Sequence, residues 1–133
     1  MNTSYFAKYK GENGVSIAGK TPDWYKGREY KKLAPKFHFF KDYKKCIKYI
    51  DGLLQEKRIT IPEAIEMKRK AEENYTIHYY SEVLNVLDPH QVYEELGENA
   101  VLLCWEKSGK FCHRHLVAEW FQKELGIEVN ELK

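Results

Sequence analysis

The stretch that most constrains this chain runs from residue 99 to 126: an apolar segment, a glycine-containing turn and an amphipathic helix in direct succession. Ala100, Val101, Leu102, Leu103, Cys104 and Trp105 show no polar alternation. A strand buried on both faces of a mostly parallel sheet reads this way. Residues 106–111 supply the turn, and the helix then runs to Gly126, a glycine placed to end it. Where strands end and helices begin in open α/β sheets, backbone N–H groups lack partners, so ligands gather there. Cys104, Glu106, Cys112, His113, Arg114 and His115 crowd that one junction.

Unrolling the helix at about 100° per residue puts Leu116, Val117, Trp120, Phe121 and Leu125 on one face, which must pack on the sheet. His113 projects onto the same face and is therefore directed inward. Arg114 lies at its edge, flanking the opening. His115 points nearly the opposite way, toward solvent.

A chain of 133 residues, 43% hydrophobic and 32% charged, is long enough for one domain spanning 1–133 with a real core. A formal net charge of +2 neither indicates nor excludes nucleic acid. Cysteines at 46, 104 and 112 are odd in number and no stretch reads as a signal peptide. A reducing cytoplasm is therefore the expected setting, without disulfides. Apolar runs fall short of the roughly 18 residues that a membrane span needs.

Taken in order, residues 4–9 and 14–18 read as short strands about a Gly-Glu-Asn-Gly turn. Residues 19–36 fit no period and read as an ordered loop with one helical turn, roofing the junction. Within it Lys20 and Arg28 beside Trp24 and Tyr25 suit stacking on, and neutralising, a nucleotide or phosphate; the alternative is a lid that covers the core. Phe39, Phe40, Tyr43, Ile47, Ile50 and Leu54 mark a helix from Phe37, with Cys46 as a small core residue. Thr60-Ile-Pro-Glu is a capping box that opens a second helix reaching Val86. His78 within it reads as a hydrogen-bonded core residue. Asp88 caps a third helix, with Gln91 at the capping-box position, and Gly97 ends it. Residues 127–131 are the last strand. The fold class that follows is compact three-layer α/β, Rossmann-like, with a small mostly parallel sheet flanked by helices.

Three chemistries and one structural role fit the junction. Zinc through Cys104, Cys112, His113 and His115 has suitable residue types. The two histidines diverge by about 200° around the helix, however, so the expectation is folding without metal and without a cofactor. Thiol chemistry would use Cys112 as the thiolate, favoured by the helix end and Arg114, with His113 as base and Glu106 as its orienter. Cys104 would be a resolving partner or core filler, and Cys104 with Lys110 also gives a weak Cys-x₅-basic likeness to phosphatase anion cradles. Binding alone would use backbone N–H groups, Lys110 and Arg114 to hold a phosphate or carboxylate. The structural role leaves Cys112 and His113 to cap and pack the helix.

Residues 101–107 (Val-Leu-Leu-Cys-Trp-Glu-Lys) followed by 111–117 (Phe-Cys-His-Arg-His-Leu-Val) resemble the signature of the domain-of-unknown-function 488 family (DUF488). The likeness extends to residues 3–7, 17–22 and 33–35, to the spacing of Tyr75 and Tyr79, and to residues 83–89. It implies a compact α/β fold with the cysteine motif at a strand–helix junction, in a prokaryotic or phage-type cytoplasmic protein. No general activity comes with it; Cys104, Glu106, Cys112, His113 and Arg114 are the motif positions carried over. The expected function is recognition of a small anionic or nucleotide-like ligand, with thiol–imidazole catalysis open. The alternative is a non-catalytic module for a nucleotide signal, nucleic acid or protein partner.

Overall fold

A computed structural model describes residues 1–133. Five strands form one sheet: β1 (Asn2–Tyr5), β2 (Gly14–Ser16), β3 (Arg28–Glu29), β4 (Val101–Cys104) and β5 (Asn130–Glu131). All are parallel, in the order β3-β2-β4-β1-β5. Helices α1 (Phe37–Gln55), α2 (Ile61–Glu82), α3 (Pro89–Leu96) and α4 (His113–Leu125) flank it. The architecture is compact, three-layer α/β, and the apolar run is its central strand, buried at all four residues. No helix is long and apolar enough to cross a membrane.

Alternation along the strands separates two cores. Val15 pairs in register with Leu102, and these two with Ile17 meet side chains from all four helices, among them Phe39, Tyr79, Val92 and Phe121. The other face of β4, carrying Val101 and Leu103, is covered by Phe6, Ala18, Tyr9 and Tyr25. Loop segments therefore build the third layer.

Local chemistry caps the helices at Thr60, Asp88, Gly97 and Gly126, as expected. The Thr60 hydroxyl accepts from the Glu63 N–H while the Glu63 carboxylate accepts from the Thr60 N–H, a complete capping box. Asp88 accepts from His90 N–H at the start of α3. Gly97 (φ 90°) and Gly126 (φ 67°) close α3 and α4 in backbone conformations that favour glycine.

Several expectations change. The first strand spans Asn2–Tyr5 rather than residues 4–9, because the chain turns at once, with Tyr9 N–H donating to the Tyr5 carbonyl. The loop at 19–36 contains β3, a two-residue exposed strand with no pattern to reveal it. The second helix stops at Glu82 and yields to a 3₁₀ turn at Leu84–Val86. Cys46 is exposed rather than in the core. Helix α1 packs chiefly against α2 and buries only Phe39, Ile50 and Leu53, a narrower line than helical spacing alone suggests. His78 is half-buried, hydrogen-bonded to Glu82 and stacked on Phe39.

Candidate thiol–imidazole site

Strand β4 delivers Cys104 to the carboxyl edge of the sheet, on the same face as Leu102. The turn brings the chain back in extended conformation at Cys112, the N-cap of α4, whose side chain makes no capping bond. The first turn of α4 then aims His113 inward, as its helical position predicts. Cys104 Sγ lies 3.7 Å and Cys112 Sγ 3.8 Å from His113 Nδ1. All three atoms lie within 4.8 Å of one another, and all three residues are buried.

The imidazole is fixed at its far end. His113 Nε2 donates to the Ile17 carbonyl oxygen at 2.7 Å. A carbonyl only accepts, so in the neutral ring Nε2 carries the proton and Nδ1 turns a lone pair toward the thiols. The expected orienter, Glu106, lines the same cleft but does not hold the imidazole: its carboxylate accepts from Lys44 Nζ at 3.1 Å. Backbone carbonyls carry no side-chain identity, which hid Ile17 from sequence reasoning.

Packing reverses the order of the thiols. Burial pushes the Cys112 thiol well above its ordinary range, and the neighbouring Cys104 sulfur adds to this. The neighbouring Cys112 thiol lowers Cys104; burial opposes this, while the Trp105 and Glu106 amides and the Arg114 charge assist. The group that favours its thiolate is therefore Cys104 rather than Cys112. A helix end attracts negative charge only where the anion is not also stripped of water.

Arg114, expected at the opening, is fully buried. Its Nε and Nη2 donate to the Glu131 carboxylate at 3.0 and 2.7 Å, and the guanidinium lies 5.9 Å from the Tyr5 ring centre. Nη1 has no hydrogen-bond partner. Glu131 accepts also from Thr3 and Ser108. Burial raises this carboxyl, but the hydrogen bonds prevail and hold it at about 2. A helical wheel places Arg114 at the edge of the core face; only the tertiary fold lays β5 against that edge. The free cationic anchor expected here is thus committed to an internal ion pair.

A cleft of about 250 Å³ opens over the three residues, lined also by Phe40, Tyr43, Tyr75, Trp105 and Phe111 and by the Lys44–Glu106 pair. Beside it a groove of about 700 Å³ carries Lys110, which is exposed, and half-buried His115. The aromatic wall was not identified from sequence, because its residues come from α1, α2 and the turn. Lys20, Trp24, Tyr25 and Arg28 do not line the cleft. Trp24 and Tyr25 pack edge-on against Phe6 in the loop layer. Arg28 donates to the Leu96 and Glu95 carbonyls at the end of α3, both at 2.9 Å. The loop reaches the junction through its backbone, where the Lys20 carbonyl accepts from Trp105 Nε1. Compared with family models, with curated proteins and with solved structures, the chain matches none.

Proposed function

We propose that this chain, as a protein of the DUF488 kind, acts on a small anionic or nucleotide-like ligand through a thiol–imidazole centre in which Cys104 is the nucleophile. The observation that carries this reading is the pairing of Cys104 Sγ with His113 Nδ1 at 3.7 Å, with the opposite nitrogen held by Ile17. A nucleophile, a base and an orienter in sequence is the arrangement that activates a thiol. Lys110, exposed at the groove, suits negative charge, whereas Lys44 at the cleft is paired with Glu106. The cleft takes a phosphate- or carboxylate-sized group, and the groove has room for the remainder of the ligand.

Brief alkylation near neutral pH in a Cys46→Ser background, followed by peptide mapping, tests this. Cys104 is expected to be modified before Cys112, and anionic iodoacetate to gain on neutral iodoacetamide relative to their rates with free cysteine. Labelling of Cys112 first, or of neither thiol before global unfolding, overturns the nucleophile. The non-catalytic binding module is then the better reading.

A further inference from the structure

The three atoms that meet at the junction, two thiol sulfurs and an imidazole nitrogen, are of the kinds that ligate zinc. With Zn–S of about 2.3 Å and Zn–N of about 2.0 Å, tetrahedral ligands stand about 3.5–3.8 Å apart. The Cys104–His113 and Cys112–His113 separations are 3.7 and 3.8 Å, and all three atoms fall within 4.8 Å of one another. The His113 lone pair already faces the sulfurs, because Nε2–H is spent on the Ile17 carbonyl. That outer hydrogen bond is the usual means of orienting a histidine ligand. Two sulfurs and one imidazole nitrogen suit zinc rather than magnesium or calcium. His115 faces the neighbouring groove and is not needed.

We propose that Cys104 Sγ, Cys112 Sγ and His113 Nδ1 bind one Zn²⁺, whose fourth position opens into the cleft. Strand–helix packing assembles the ligands, so the ion occupies a formed site and is not required for folding. Each thiol that ligates releases its proton to solvent. Zinc and an alkylating reagent would compete for the Cys104 sulfur, so the ion would silence the thiol; that regulatory consequence rests on the reading above, and the zinc site itself does not.

The experiment adds Co²⁺ to the full-length Cys46→Ser chain and then displaces it with Zn²⁺. Expected are one ion per chain, tetrahedral visible bands and a thiolate-to-cobalt charge-transfer band. Cys104→Ser or Cys112→Ser should each remove about half of that band. Replacing any one of the three ligands should weaken binding by roughly tenfold or more, while His115→Gln leaves it unchanged. Protection of both thiols from alkylation by Zn²⁺ in the unsubstituted site needs no ligand variant to fold. Absence of stoichiometric binding to folded protein, or affinity unaltered in Cys104→Ser, overturns the site. Fast Cys104 labelling that zinc does not slow defeats the zinc site alone; tight zinc on an unreactive Cys104 defeats the nucleophile alone.

Discussion

Arg114 is buried together with its positive charge, and two of its three guanidinium nitrogens are spent on Glu131. Removing one partner of such a pair leaves the other charged and poorly solvated, which costs about 3–5 kcal/mol in a deep interior. Glu131 is one-fifth exposed, so Arg114→Gln is expected to lose about 2–3 kcal/mol of unliganded stability in urea denaturation. The double variant with Glu131→Gln should lose less than the sum of the two singles. Full additivity, or a loss below about 1 kcal/mol, would mean the pair behaves like a surface contact. The same scale governs the thiols. Cys104 and Cys112 are almost equally buried, but the Trp105 and Glu106 amides and the Arg114 charge favour the Cys104 thiolate, whereas burial dominates at Cys112.

Helix α4 serves as both core and site, because one face carries Leu116, Val117, Trp120 and Phe121 below His113. Its far end is held by Gly126 at φ 67°, and a Cβ added there would meet no heavy atom within 4 Å. The cost of Gly126→Ala is therefore conformational only, expected at about 1 kcal/mol by chemical denaturation. The Cys104 and Cys112 alkylation pattern should be preserved, since the first turn is independently seated on Ile17. A loss of several kcal/mol would show that the end of α4 carries contacts beyond its cap. The start and stop of this helix were legible in residues 112–126, because both depend on neighbours in sequence. The turn before it was legible only as a turn.

Across the whole molecule, Glu131 ties the last strand to both Thr3 on β1 and Arg114 on α4. Its folded pKa of about 2 lies below the ordinary glutamate value of about 4.5. The resulting stabilisation is present above the unfolded value and is lost as pH falls through the folded one. The window is therefore between about pH 4.5 and pH 2. The full shift would correspond to about 3 kcal/mol, which partial solvent screening at the sheet edge reduces to about 1–2 kcal/mol. Urea titrations of the wild type and Glu131→Gln at a series of pH values should show their difference shrinking across that window. A difference that stays constant from pH 5 to pH 2 would remove Glu131 as the titrating group.

The sequence by itself determined the parts that rest on short-range patterning. Unbroken apolarity at 101–104 specified the central strand, the capping residues at 60, 88 and 126 bounded three helices, and helical geometry turned His113 inward. Only the tertiary structure decided which thiol is the more acidic, what orients the imidazole and where Arg114 spends its charge. Those answers depend on Ile17, Glu131 and the aromatic wall from α1 and α2, which are distant in sequence and brought together by the parallel sheet. Desolvation and hydrogen-bond direction arise from that packing, and no local pattern of residues encodes them.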